Sequence, residues 1–252
     1  MTARPVTLVT GASAGLGAEF ARQCHARGDS LALVARRRDR LEALAAELGG
    51  AQIFAFDLAE PGAPGRLLAD VAGRGLRVET LINNAGFGLA GRFADQPADR
   101  QREMIALNVA ALTELCRLVL PAMLERRRGF LLNVASTAAF QAGPNSAVYY
   151  ASKAYVLSLT EALHQEARGN GIHVTALCPG PTATEFFEVA GSAGGQLARL
   201  ATDPVDVVQA GLAGLARNRA IVIPGLRNKL TAQANRVLPR ATMRRIVARL
   251  KE

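Results

Sequence analysis

The chain has 252 residues, of which 50% are hydrophobic and 20% charged, with no tryptophan. This balance supplies an apolar core and excludes disordered, fibrous and collagen-like classes. The three cysteines, Cys24, Cys116 and Cys178, are far apart and make no C-x-x-C pair, which argues against a disulfide framework or zinc site, so no metal is expected and the setting is expected to be reducing and cytoplasmic. The net charge of +9 is unevenly spread: residues 224–252 hold eight Lys or Arg against one acid, Glu252, and the rest of the chain is close to neutral. No nucleic-acid partner is expected, because aromatic residues are not interleaved with the basic ones and no nucleic-acid-binding motif is present.

In chain order, the first apolar run, residues 6–9, is too short for a secretory h-region and ends in a glycine turn, so it is expected to be a strand. No uninterrupted apolar stretch approaches the roughly 18–20 residues of a membrane span. Further strands are predicted at 31–34, 53–56, 80–82, 130–134, 173–177 and 220–223, and helices at 16–27, 39–48, 65–73, 102–127, 148–168 and 204–217. Short β-branched runs alternating with longer helical segments imply an α/β fold with a parallel sheet of about seven strands, covered on both faces. Residues 1–223 form a single expected domain, with ligands beyond the carboxyl ends of its strands. Within it, residues 185–202 combine Phe186, Phe187, Val189, Leu197 and Leu200 with Gly191, Gly194 and Gly195, a pattern suited to a hinged apolar lid over substrate. Residues 224–252 are expected to form a basic amphipathic C-terminal extension of two helices, with Pro239 in the first turn of the second.

The turn after the first strand carries Thr10-Gly11-Ala12-Ser13-Ala14-Gly15-Leu16-Gly17 and opens a helix. Glycines there permit a tight turn and close backbone approach, and a helix N-terminus offers free N–H groups to a pyrophosphate. Gly11, Ser13, Gly15, Leu16 and Gly17 are therefore candidate dinucleotide contacts in a Rossmann-type, doubly wound arrangement, although the spacing is G-x-x-x-G-x-G and not G-x-G-x-x-G. A glycine turn used only for packing is the plainer alternative. At the end of the second strand, where an acid would select the free ribose hydroxyl of NAD, the chain has Ala35-Arg36-Arg37-Arg38. Arg36 and Arg37 match a 2′-phosphate, so NADP is the expected cofactor, with NAD as the alternative. A solvated basic helix start is the competing explanation, but cations in a first helical turn oppose the macrodipole unless an anion compensates.

Tyr149 and Lys153 are four apart at the start of a predicted helix and so share one face; Tyr150 has Ala154 at the equivalent position. A phenol near pKa 10 becomes a usable acid when an ammonium stabilises its phenolate. Ser136 follows the fifth strand, at the ligand-binding edge, where a hydroxyl can polarise a carbonyl. Asn84, Ala85 and Gly86 form a polar turn after the fourth strand, expected to contact the cofactor beside its adenosine, and Asn108 interrupts an apolar helical pattern, which requires a buried partner for its amide. Taken singly, these residues also suit a surface pair, a cap, a turn and an asparagine tied to backbone.

In combination and order, Thr10-Gly-x-x-x-Gly-x-Gly17, Asp57-Leu58, Asn83-Asn-Ala-Gly86, Asn108, Ser136, Tyr149-x-x-Ser-Lys153 and Pro179-Gly180 resemble the classical short-chain dehydrogenase/reductase family over about residues 7–223. The resemblance implies a tetrad: Tyr149 as proton donor, Lys153 on the nicotinamide ribose and lowering the tyrosine pKa, Ser136 orienting the carbonyl, and Asn108 holding a water. It also implies adenine contact at Asp57 and Leu58, nicotinamide contact at Pro179, Gly180, Thr182 and Thr184, and a homo-oligomer, dimer or tetramer. Ala14 stands where NADP-preferring members often carry a basic residue, which leaves the 2′-phosphate to the arginines alone.

The expected function is thus an NADP-dependent oxidoreductase moving hydride between nicotinamide and a hydrophobic ketone, aldehyde or secondary alcohol. A catalytically silent dinucleotide-binding regulator or scaffold is the alternative. For the basic extension, adhesion to the anionic inner membrane surface competes with docking on the body or on a neighbouring subunit. His25, His164 and His173 sit singly and are expected to be structural or surface groups.

Overall fold

The computed structural model describes residues 3–191 and 201–249. Seven strands, β1 (Arg4–Thr10), β2 (Leu31–Ala35), β3 (Gln52–Ala55), β4 (Leu76–Asn83), β5 (Gly129–Val134), β6 (Ile172–Leu177) and β7 (Ile221–Val222), form one parallel sheet in the order β3-β2-β1-β4-β5-β6-β7. Each predicted strand is present. The fourth begins earlier than its apolar core because Arg77 and Glu79 pair with each other and extend the strand past the apolar run. The order reverses between β1 and β4, so the loops leaving these two neighbours diverge and open a crevice at the carboxyl rim.

Alternation along the strands explains why both faces are covered. In β2, Ala32 and Val34 face one core with Leu67 and Val71 of α3 (Ala63–Gly73), while Leu31 and Leu33 face the other with Leu41 and Leu44 of α2 (Arg38–Glu47). The second core also takes Phe20 and Cys24 of α1 (Gly15–Ala26). The predicted helix at 102–127 is longer and interrupted: α4 (Ala98–Ile105) passes through a π-helical turn, Ala106–Ala111, into α5 (Leu112–Arg126). By length and composition this stretch could cross a membrane, but Met104, Leu115, Cys116, Val119 and Met123 are buried within the protein. Its apolar stripe is that of a core helix.

Helix α6 (Ala147–Glu166) crosses from β5 to β6, followed by the single turn α7 (Phe186–Val189) and by α8 (Pro204–Ala216), whose first turn is capped by the Asp203 carboxylate accepting from the Val205 N–H at 2.8 Å. Two helices end the described chain, α9 (Leu226–Val237) and α10 (Arg240–Arg249). Pro239, expected in the first turn of the second helix, lies immediately before α10, and its carbonyl accepts from the Met243 N–H at 3.2 Å. Cys24, Cys116 and Cys178 are free and buried. His164 and His173 each hydrogen-bond a backbone carbonyl, Val174 at 2.8 Å and Leu215 at 2.9 Å, which ties α6 and α8 to the sheet.

Leu131 lies on central strand β5 and is fully buried in the first of the two cores. Replacing it with alanine is expected to destabilise the fold by about 2–5 kcal/mol. Urea denaturation checks this: the midpoint falls while the slope with denaturant stays constant.

Candidate active site

The crevice at the rim is a continuous cleft of about 980 Å³ running from the glycine loop to the C-terminal helices. Its floor is set by a short-range staple. The Thr10 hydroxyl accepts from the backbone N–H of Asn84 and of Ala85, both at 3.0 Å, and the Asn84 amide donates to the Thr10 carbonyl at 2.9 Å and that of Gly11 at 3.3 Å. These bonds bring the β1 and β4 loops so close that a Cβ on Gly17 would lie 2.6 Å from the Asn84 side-chain nitrogen, and it would also meet the Gly11 oxygen at 2.1 Å. Gly11 also adopts φ +66°, the left-handed region open to glycine. Asn84, expected beside the adenosine, lines the cleft while its side-chain nitrogen holds the loop. Gly17 does not line the cleft; it lets α1 approach the loop.

Of the other candidate cofactor contacts, Gly11, Ser13, Gly15, Leu16, Arg36, Arg37, Asp57, Leu58, Ala85, Gly86, Pro179, Gly180, Thr182 and Thr184 all line the cleft. The two arginines differ in their surroundings. Arg36 reaches Glu103 at 3.1 Å and Asp57 at 3.6 Å. Arg37 crosses the glycine loop, donating to the Ser13 hydroxyl at 3.1 and 3.3 Å, and meets Glu185 at 3.4 Å. Backbone amides at the start of α1, a loop that excludes side chains and a cationic fork at one end fit a phosphorylated dinucleotide.

At the other end, Tyr149, Ser136 and Lys153 converge. Ser136 caps the 3₁₀ turn Thr137–Phe140, its hydroxyl accepting from the Ala138 N–H at 3.1 Å and donating to the Pro179 carbonyl at 3.4 Å. The capping alternative and a place in the site are thus both realised. The Lys153 ammonium is buried under the Tyr149 ring, 5.9 Å from its centroid, and donates to the Val134 carbonyl at 2.7 Å. Tyr150 packs on Gly143, clusters with Val247 and meets Tyr149 edge-to-face, with ring centroids 6.1 Å apart. Asn108 does not line the cleft. Within the π-helical turn its amide donates to the Phe87 carbonyl at 2.9 Å and the Ser152 hydroxyl at 3.1 Å, while its oxygen accepts from the Phe87 N–H at 3.1 Å. It locks the loop after β4 to α6 next to Lys153.

The electrostatics differ from the expected ammonium effect. Burial pushes the Tyr149 phenol up to about 12, with its hydrogen bond to Ser136 pulling the other way, and burial brings Lys153 down to about 8. In the free chain desolvation dominates both groups, because Lys153 directs its charge to a backbone carbonyl and not to the phenol.

Sequence reasoning missed the residues that close the cleft from the tail. Arg227, Asn228 and Thr231 of α9 and Met243, Ile246 and Val247 of α10 line it. Gly180 lies so close to Asn228 that a Cβ there would be 2.3 Å from the Asn228 Oδ1. On the apolar faces of the basic extension, Met243 and Val247 are turned inward and buried, whereas Leu226 and Leu230 are exposed. Only tertiary contact reveals which of these apolar residues faces in. Of the expected lid, Phe186 packs on Tyr149 with ring centroids 5.3 Å apart, and Gly88 leaves room for both rings. Gly194, Gly195, Leu197 and Leu200 lie outside the described residues.

The family model for short chain dehydrogenase matches residues 5–193, and the chain belongs to the short-chain dehydrogenase/reductase family, an oxidoreductase family built on this Rossmann-type sheet. It is similar to the sulfoacetaldehyde reductase of Chromohalobacter salexigens, 39% identical over 184 residues that cover 71% of this chain and 72% of the relative. Among solved structures it resembles a short-chain dehydrogenase from Sphingobium yanoikuyae in complex with NADPH (TM-score 0.82, 34% identity, 92% of this chain and 94% of that one). A 7β-hydroxysteroid dehydrogenase superposes with TM-score 0.87 at 25% identity, covering 97% of this chain and 96% of that one.

The Lys153 shift has a measurable consequence. The folded chain gives up this proton near pH 8, whereas an unfolded one keeps it to the ordinary value of 10.5. Unfolding between those values takes up a proton, so this residue's contribution makes the native state gain stability as pH rises through that window. Denaturant titrations of cofactor-free wild type and Lys153→Met are expected to show their stability difference moving toward the wild type over the same interval. A flat difference would mean that Lys153 is not desolvated.

Proposed function

We propose that the protein is an NADP-dependent oxidoreductase that interconverts a hydrophobic ketone or aldehyde and its alcohol, with Tyr149 handling the proton. The observation that carries this reading is the convergence of Tyr149, Ser136 and Lys153 on the far end of a cleft that begins at the glycine loop and Arg37. When bound, the nicotinamide supplies or accepts the hydride. Gly11, Gly15, Leu16 and the α1 N-terminus hold the pyrophosphate, Arg36 and Arg37 the 2′-phosphate, Asp57 and Leu58 the adenine, and Pro179 to Thr184 the nicotinamide.

The residues' protonation states suit carbonyl reduction at neutral pH. A phenol near pKa 12 still carries its proton and Lys153, near 8, is still charged. Ser136 donates to the carbonyl oxygen as negative charge develops, Tyr149 transfers its phenolic proton to that oxygen, and the ammonium stabilises the phenolate that remains. Phe186 over the tyrosine excludes water from this transfer. Asn108 acts through its grip on Phe87 and Ser152, holding the wall against which Lys153 is packed.

Phe186, Tyr150, Met243, Ile246 and Val247 provide an apolar lining, which favours a hydrophobic substrate, and the 7β-hydroxysteroid dehydrogenase neighbour is consistent with a bulky one. A carbonyl compound with an acidic end is the second reading, favoured by Arg92 and Arg227, which also line the cleft and have no carboxylate partner among the described residues. For the tail, the cleft wall is its first role. An anionic membrane contact would rest on exposed Leu226 and Leu230 beside Arg227 and Lys229.

Tyr149→Phe should reduce turnover by at least about 100-fold, the usual scale of a positioned acid, while NADPH binds within a few fold of wild type. Activity assays over a panel of ketones, aldehydes and alcohols, followed by NADPH absorbance, check the first part and equilibrium titration the second. A silent scaffold would turn over none of the panel. Replacing Arg36 and Arg37 together with glutamine is expected to weaken NADPH far more than NADH; equal losses would assign the arginines to packing.

A further inference from the structure

We propose that Glu185 is a built-in competitor for the 2′-phosphate at Arg37, so that this one carboxylate sets how sharply the chain distinguishes NADP from NAD. The inference rests on the cofactor reading above and adds to it a residue that weakens the preferred ligand.

The geometry is that of an occupied anion subsite. Arg37 spends Nε and one terminal nitrogen on the Ser13 hydroxyl, at 3.3 and 3.1 Å. Both terminal nitrogens also reach Glu185 Oε2, each at 3.4 Å. The other carboxylate oxygen, Oε1, accepts from Arg40 at 2.6 Å. Glu185 therefore bridges two guanidinium groups with one oxygen apiece, in the manner in which an oxyanion of a phosphate monoester is gripped. Ser13, Arg37 and Glu185 all line the cleft, whereas Arg40 reaches the carboxylate from outside it. Arg40 and Arg37 together hold the Glu185 carboxyl below the usual carboxylate range, so it is ionised at neutral pH.

The carboxylate is held there by the chain on its N-terminal side. The preceding residue, Thr184, packs against the glycine loop, where a Cβ on Gly15 would lie 3.1 Å from the threonine Cβ. A dianion arriving at Arg37 meets a fixed negative charge on the same donors, and the two repel. NADP must therefore displace Glu185 or share Arg37 with it. NAD presents a neutral hydroxyl and meets no such opposition. All three side chains are substantially exposed, at 41–43%, so the ion pairs are of the modest surface kind that a phosphate can displace. Arg40 tempers the competition by drawing part of the carboxylate's charge away from Arg37.

The test is the equilibrium binding of NADPH and NADH, read from nicotinamide fluorescence, to wild type, Glu185→Gln, Glu185→Ala and Glu185→Asp. The neutral variants are expected to tighten NADPH by about two- to fivefold, the range of an exposed ion pair removed, and to leave NADH unchanged. The aspartate variant, which keeps the charge, stays near wild type. If the neutral variants shift neither ligand, or shift both alike, Glu185 is only a surface anchor and the proposal is overturned. If Glu185→Gln binds NADPH no better than NADH, it is the cofactor reading that fails, since Arg37 is then free of its competitor and still does not select the phosphate.

Discussion

The structure depends on the hydrogen-bonded staple between the loops that leave β1 and β4. These strands are neighbours at the point where the sheet reverses its order, so their connections run apart and would leave a flexible gap. Thr10 and Asn84 close that gap from both sides, using one hydroxyl and one amide for four bonds. With the gap closed at its base, α1 can approach to the distance at which only a hydrogen fits at Gly17. The helix N-terminus is thereby aimed at the space above the rim, and its unpaired N–H groups become an anion site.

The same loop after β4 transmits this arrangement to the other end of the cleft. Three residues beyond Asn84, Phe87 is held by both its N–H and its carbonyl to Asn108, and Asn108 is in turn bonded to Ser152 beside Lys153. A buried amide in an otherwise apolar helix is costly unless every group finds a partner. Here the π-helical turn rotates Asn108 out of the regular helical path and towards that loop. One chain of hydrogen bonds thus links the phosphate end, the loop and the helix that bears Tyr149. Below it, a second buried network joins Asn83, Asn133, Cys116 and Thr160 across the sheet, so the rim is polar and rigid beneath the cleft as well as along it.

Desolvation governs the chemistry of the site. The phenol of Tyr149 and the ammonium of Lys153 are displaced from their ordinary pKa values in opposite directions, each toward its uncharged form. Such a site holds both groups in the forms that burial favours until another charge is brought beside them. The closing wall is built from distant parts of the chain: Phe186 after β6 packs on Tyr149, and Val247 at the far C-terminal end clusters with Tyr150.

Much of this was legible in the residues. Short, continuous β-branched or apolar runs separated by helical segments are enough to give seven parallel strands wrapped on both faces, because a parallel sheet needs crossover helices and buries both its sides. The glycine turn and the four-residue step from Tyr149 to Lys153 are local, so their spacing alone located both ends of the cleft. Contacts between residues far apart in sequence were not legible. Nothing in the order of residues says that Asn84 would hold Thr10 while lining the cleft, that Asn108 would bond Phe87 and Ser152 outside it, that Glu185 would settle between Arg37 and Arg40, or that α10 would bury Met243 and Val247 against the site. An amphipathic pattern states that a helix has an apolar face; what that face meets is decided only when the folded sheet brings a complementary surface within reach.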